Sequence, residues 1–324
     1  MYVRHNGVAY RLDAATGKTI REFTPPKDAD GKPVTWGFIA SRDGILFGSA
    51  ANVDHVVTHS WKPADMSTLF TESKFVFAFE IETGKLLWRY DAKESIRHNA
   101  IAIAKDRVFV IDRPLAKSDL LSNADARRGK EKDRPRIDHP TGRLVHLNAR
   151  TGKEEWATSE DIWGTMLAYS EPRDMLLMSY QSTRFKLPSE TGGRLAVFDG
   201  HGGYRLWEKE AKYTTRPLIR AETIVAQDGS WDLASGAETP FDLGRSYGCG
   251  QLAASKHLLL FRSATFGYQD STLEESTMKN FGGVRPGCWI NAIPVGGMVL
   301  LPDASAGCKC SYQNRTWMAL QGSE

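Results

Sequence analysis

"FAFEIETGKLLWRY", residues 77–90, decides the fold. Apolar residues alternate up to Glu80, a Thr-Gly-Lys turn comes next, and a second run ends at Trp88 and Tyr90. β-Branched and aromatic residues at period two, punctuated by Gly, specify a β-hairpin and argue against a helix. Gly84 supplies the positive φ that the turn demands, and a Thr or acidic side chain caps the bend. "YRLDAATGKTIREF" (10–23) and "VHLNARTGKEEWAT" (145–158) repeat the pattern with Gly17 and Gly152 at the turn, and aligning Thr16, Thr83 and Thr151 gives steps of 67 and 68 residues. "LAVFDGHGGYRLWEK" (195–209) is a degenerate fourth copy that aligns Trp207 with Trp88 and Trp156, and "SWDLASGAETPF" (230–241) is a weaker fifth.

A second hairpin recurs between these copies. Its six instances are "GFIASRDGILFGS", "AIAIAKDRVFVID", "TMLAYSEPRDMLLMSY", "PLIRAETIVAQD", "QLAASKHLLLFRS" and "NAIPVGGMVLLPD", and "MYVRHN" reads as the tail of a seventh. Two hairpins per unit make a four-stranded antiparallel sheet. Repetition of such sheets at a long period is the signature of a β-propeller, which protects its sheet edges by radial packing. The expected fold class is therefore all-β, a single β-propeller domain over residues 1–324. Its seven visible blades fall near 1–35, 36–96, 97–162, 163–212, 213–243, 244–287 and 288–324.

The bulk properties agree with a globular chain and exclude several classes. A net charge of +3 over 324 residues is too mild to argue for nucleic acid. No apolar run of about 18 residues is present to span a membrane, and no Gly-rich loop leads from a strand into a helix to cradle a nucleotide.

The segments "LDAATGKTIREF", "FEIETGKLLWRY" and "LNARTGKEEW" resemble the Ala-x-Asp-x-x-Thr-Gly-Lys-x-x-Trp docking motif of quinoprotein-like propellers. That family includes pyrroloquinoline-quinone (PQQ) dehydrogenases and outer-membrane assembly lipoproteins. "FGGVRPGCWINAIPVGGMVLLPDASAGCKCSY" resembles the C-terminal signature of a subgroup from planctomycete-type bacteria. The resemblance implies that Trp88, Trp156 and Trp207 wedge against the Gly turn of the neighbouring blade, and that Arg21, in place of the first Trp, leaves one dock missing. The first blade begins at what should be its second strand and the last ends at a third. The expectation is a precursor with more N-terminal sequence: at least two strands, or an eighth blade and a signal peptide.

Cys249, Cys288, Cys308 and Cys310 lie in the C-terminal quarter. An even count confined to one region suits two disulfides and hence a periplasmic or extracellular location, with free buried thiols and a metal site as the alternatives. The paired knuckles of a zinc site are absent, so no metal is assigned. "MYVRHNGVAYRLDAATGK" has no signal-peptide pattern, which fits export only with a truncated N-terminus.

Arg285, Trp289, Asn291 and Asp303, with Arg245, Tyr247 and Arg262 in the preceding blade, form the best candidate ligand site, because inner strands line a propeller's channel. The competing reading has Arg285 and Asp303 satisfying buried backbone groups. His55 and His59 share i, i+4 spacing in the insertion 50–74, and His98 precedes Asn99 at the start of a blade. A second insertion, 113–142, carries "RRGKEKDRPR", either a solvated charge run or a surface for an acidic polysaccharide. No nucleophile–base pair emerges, and the vicinal cysteines and calcium ligands of a PQQ dehydrogenase are missing. The expected function is a non-catalytic extracytoplasmic binding or assembly scaffold for other proteins, without cofactor. The alternative is a quinoprotein-type oxidoreductase with PQQ and calcium, or a polysaccharide-acting enzyme, with its site at the channel mouth.

Overall fold

The computed structural model describes residues 1–57, 69–120, 139–181, 187–246, 248, 250–273, 277–287, 292–302, 311–312, 314 and 316–322. The described residues are β-strands and turns, with two short 3-10 turns at Lys117–Leu120 and Pro188–Glu190. No helix among them is long and apolar enough to cross a membrane. Contacts divide the chain into two compact units, the first of Met1–Ser60, Met66–Glu171 and Gly200–Tyr204, the second built on Pro172–Asp199 and Arg205–Glu324.

In the first unit, β1 (Tyr2–His5), β2 (Val8–Leu12) and β3 (Thr19–Phe23) form one antiparallel sheet in chain order. β4 (Trp36–Arg42) and β5 (Ile45–Ala51) come next, then the short pair β6 (Val56–Val57) and β7 (Leu69–Phe70). β8 (Glu72–Glu80), β9 (Leu86–Ile103), β10 (Arg107–Asp112), β11 (Gly142–Asn148) and β12 (Glu154–Ile162) join β4 and β5 in a sheet of order β4-β5-β8-β9-β10-β11-β12. β9 is 18 residues long; its first part pairs with β8 and its last part with β10, so two four-stranded meanders share one strand. β13 (Met166–Ser170) completes this unit.

The second unit holds β14 (Met175–Ser179), β15 (Arg194–Asp199) and β16 (Arg205–Glu210), paired in chain order. β17 (Leu218–Arg220), β18 (Thr223–Ala226) and β19 (Gly229–Asp232) form the next sheet, and β20 (Ala253–Ala254), β21 (Leu258–Ser263), β22 (Thr265–Asp270) and β23 (Lys279–Asn280) the one after it. β24 (Ile293–Val295), β25 (Met298–Leu301) and β26 (Met318–Gln321) form the last, with Gly296 and Gly297 at positive φ in the β24–β25 turn.

Successive sheets within a unit pack face to face. Ala9 and Phe23 of the first sheet meet Trp36, Leu46, Phe75 and Phe77 of the next, and Ile45, Phe47 and Val76 meet Val108, Val110 and Val145 farther along. In the second unit Val225 packs with Leu259 and Phe261, and Leu260 with Val299 and Leu301. Central strands are thus covered on both faces, which is why "ILFGSAA" and "FVFAFE" read as continuous apolar runs while β12 keeps an alternating, half-exposed pattern.

One local device repeats along the chain. The pairing register slips by one residue at Arg11/Leu12, Ala78/Phe79, His146/Leu147 and Val197/Phe198, a β-bulge beside each turn. An extra residue reverses the side-chain parity of the strand and re-aims the side chains beyond it. The residues re-aimed are Arg21, Trp88, Trp156 and Trp207, each a member of the regular pair that flanks the slip.

The Trp88 ring lies 2.6 Å from where a Cβ on Gly152 would stand, Trp156 lies 2.5 Å from that point on Gly203, and Trp207 lies 2.8 Å from it on Gly236. Trp88 Nε1 donates to Ala149 O at 2.8 Å and Trp207 Nε1 to Leu233 O at 2.9 Å. Each turn glycine here has positive φ, so it is required twice over, by conformation and by the ring above it. The turn itself is held by its first residue: Asp13 Oδ1 accepts the Thr16 N–H at 2.8 Å and hydroxyl at 2.7 Å, and Asn148 Oδ1 accepts the Thr151 N–H at 3.0 Å.

Arg21 departs from the expectation of a missing dock. Its stem lies 3.3 Å from the point a Gly84 Cβ would take, and Nη1 donates to Thr83 O at 3.0 Å. A long aliphatic stem with a donor at its end replaces an indole in covering the turn. Truncating Trp88 to Ala should therefore cost about 3–5 kcal/mol, the range for losing a buried aromatic, whereas Arg21→Ala should cost about 1 kcal/mol or less as an exposed contact. Urea titration of both variants checks the order.

Candidate functional site

Three residues of the sequence-derived site lie within the described residues, all in the second unit. Arg245 precedes β21 and is fully engaged: Nε donates to Arg262 O at 2.7 Å, Nη1 to Gln227 Oε1 at 2.7 Å and Nη2 to Gly248 O at 2.9 Å. It ties Gly248 and Gly250 to the end of β18 and to β21. Arg262 (2% exposed) and Arg285 (0%) are buried and partnered. The structure brings Arg245 to the Arg262 backbone. Trp289, Asn291, Asp303, Tyr247, His59, the four cysteines and "RRGKEKDRPR" lie outside the described residues.

A polar centre that the sequence reading did not assemble lies in the first unit. Glu72 opens β8, Arg97 and Ser95 lie in β9, and Asp119 sits in the 3-10 turn of the second insertion. Arg97 Nε donates to Glu72 Oε1 at 2.8 Å, Arg97 Nη2 to Asp119 Oδ2 at 2.5 Å, and Ser95 Oγ to Glu72 Oε2 at 3.1 Å. All three charged residues are 1% exposed. Buried charges persist only when paired and hydrogen-bonded, and here the pairing clamps the start of β8 and the insertion turn onto one strand. Beneath it Asp112 accepts the N–H groups of Lys93, Glu94 and Ser95, holding the irregular middle of β9. His55, from the first insertion, is buried beside these charges. Burial lowers its pKa, while Glu72 and Asp119 pull the other way.

Next to this clamp, His98 Nε2 shares a hydrogen bond of 2.9 Å with Ser73 Oγ, and Ser73 Oγ donates to Ser49 Oγ at 2.7 Å. Ser49 Oγ in turn accepts the Phe38 N–H at 2.8 Å. A histidine on a serine hydroxyl has the outline of a nucleophile–base pair, but Ser73 and Ser49 are 0% exposed. Gly37 of β4 closes over them, and a Cβ there would stand 2.8 Å from both hydroxyl oxygens. The trio therefore pins β4 to β5, β8 and β9. Burial chiefly drives the His98 pKa down to about 4, so the ring is neutral at pH 7.

The charge signals for these networks were present in "DAKESIRHNAIAI", where Glu, Arg and His interrupt a strand. Their convergence with residues from both insertions was not.

No group of three or more His, Cys, Asp or Glu among the described residues is arranged to hold a metal ion, and Trp36, Trp88, Trp163 and Trp231 are all buried in packing, so none of these forms an open floor for a quinone.

Removing one partner from the clamp leaves buried charge uncompensated, so Arg97→Met should destabilise the chain by about 3–5 kcal/mol, measurable by chemical denaturation. His98 gives a pH signature. Its pKa is about 4 folded and about 6.5 unfolded, so the unfolded state binds the proton first. The His98 contribution to stability should be flat above about pH 6.5, fall by about 3 kcal/mol as pH drops towards 4, and level off below. Thermal denaturation from pH 7.5 to 4 should show a shallower decline for His98→Asn.

Solved structures to which the chain is similar include BamB from Moraxella catarrhalis, at 13% identity over 92% of this chain and 76% of that one, with a TM-score of 0.49. The computationally designed Ika8 protein is 15% identical over 98% of this chain and 91% of its own, with a TM-score of 0.46. No curated protein matches the chain. The family model described as outer membrane protein assembly factor BamB (PQQ_2) matches residues 5–228, which include four of the five turn repeats. The chain belongs to this PQQ-like β-propeller repeat family.

Proposed function

We propose that this protein is a non-catalytic binding or assembly scaffold acting outside the cytoplasm, in the periplasm or at the outer membrane. The observation that carries the reading is the fate of the reactive groups. Glu72, Arg97, Asp119, Ser73 and Ser49 are all at or below 1% exposure and are spent on one another. Membership of a family described as an assembly factor supports the same reading.

On this reading each recurring sheet is one blade of a propeller, seven by the sequence division, and the tryptophan contacts are the docks between blades. The partner is another protein, met through exposed apolar side chains such as Phe281, Val295 and Trp317 at 48%, 50% and 62% exposure. An acidic polysaccharide held by the 113–142 insertion is a further proposed partner. Arg245, Arg262 and Arg285 with Trp289, Asn291 and Asp303 remain the proposed ligand-site residues, and no PQQ is required. Cys249, Cys288, Cys308 and Cys310 form two disulfides in the oxidising compartment.

Two measurements test this. A photo-crosslinking residue placed at Phe281, Val295 or Trp317 in the intact cell envelope should give a discrete protein adduct; absence of an adduct at all three positions overturns the scaffold reading. Alkylation of the denatured protein should label no cysteine before reduction and four after it, and free thiols before reduction would overturn the exported location.

A further inference from the structure

The last strand of each sheet is its open flank, and charge guards most of these flanks. β12 carries Glu154 and Glu160, β16 carries Arg205 and Lys209, and β23 carries Lys279. Charged side chains on an edge deter another strand from pairing there. β26, "MALQ", has neither a charge nor a proline. Among the described residues it pairs with β25 alone.

The neighbouring turn decides which backbone groups of β26 are open. β24 and β25 are joined by Gly296 and Gly297, both at positive φ, with Val295 opposite Met298. The closing pair of such a two-residue hairpin exchanges its backbone hydrogen bonds, and the pattern alternates from there. Val299 therefore bonds to Leu320, while the N–H and C=O of Ala319 and Gln321 point away from β25. Among the described residues no other backbone hydrogen bond reaches them.

Beside this flank lies a groove of about 460 Å³ between the β20–β23 and β24–β26 sheets. Phe266, Tyr268 and Phe281 line one side and Pro294, Val299 and Leu320 the other, and none of the described residues in its wall is charged. Pro294, Val299 and Leu320 stand opposite one another as a single cross-strand row. A further strand, about 4.8 Å beyond β26, would extend this row by one residue over the groove. Its next residues on either side would point to the opposite face.

Together the two features select the occupant. Unpaired N–H and C=O groups call for extended backbone, which a helix does not offer, and an uncharged wall calls for a neutral apolar side chain. We infer that β26 is an acceptor edge for an extended segment of a partner protein. The segment joins the sheet as a fourth strand and sets an apolar side chain beside Leu320. The inference rests on the scaffold reading and adds to it the form of the partner.

The probe is a capped, fluorescent peptide, Lys-Thr-Val-Thr-Leu-Thr-Val-Thr-Lys, with apolar residues at alternate positions. Anisotropy with the full chain should show saturable binding. Replacing the peptide's Leu by Asp, or methylating its alternate backbone nitrogens, should each weaken binding about tenfold or more. Ala319→Pro removes an outward donor and leaves the β25 ladder intact, as edge strands allow, and should bind the peptide about tenfold or more weakly. Should that variant fail to fold by circular dichroism, the methylated peptide makes the same test on the parent chain. No saturable binding, or unchanged affinity in these comparisons, overturns the added strand. Hydrogen exchange should find the Ala319 amide unprotected in the free chain and protected by the peptide; protection without peptide means an edge already paired, and overturns the inference. Self-association that Ala319→Pro abolishes assigns the edge to a second copy and overturns the partner segment. Envelope crosslinks from Phe281 or Trp317 that persist in Ala319→Pro uphold the scaffold reading and overturn only the strand addition.

Discussion

Four of the repeating turns in this chain depend on a large side chain pressed against a glycine at positive φ. A sheet covered by neighbours on both faces has no polar surface with which to set its angle to the next one. At four hairpins a bulge turns out one side chain, Arg21, Trp88, Trp156 or Trp207, and that side chain seats on the following repeat's turn. The indole N–H of Trp88 finds Ala149 O and that of Trp207 finds Leu233 O, so shape and hydrogen bonding select the same position. Arg21 shows what the dock requires: aliphatic contact with the turn and a donor for its carbonyl, which a guanidinium also provides.

Where the chain departs from the simple repeat, charge takes over from packing. In the first unit Arg97 holds Glu72 of β8 on one side and Asp119 of the Lys117–Leu120 turn on the other. Such a bridge adds little net stability over apolar packing, but it tolerates no wrong partner. The His98–Ser73–Ser49 chain under Gly37 serves similarly, fixing which strand β4 approaches.

Much was legible in the sequence. The hairpin at 77–90, its copies and the second hairpin type identify the repeat, because period-two patterning and a glycine turn are local properties of a few residues. The contact of Arg21 with its turn is not legible in sequence, because a charged residue type does not reveal that its aliphatic stem can cover a glycine. The Arg245 contacts were out of reach for a different reason: a guanidinium reads the same in sequence whether it meets a ligand or a carbonyl.

The sequence by itself determined the strands, the turns and the repeat, and with them the family, since each rests on neighbours within about a dozen residues. Only the tertiary structure decided which polar groups are spent and which remain. Glu72, Arg97 and Asp119 come from three separate segments. Satisfaction of a buried charge is a property of the space around it, and that space is assembled by strands far apart in the chain.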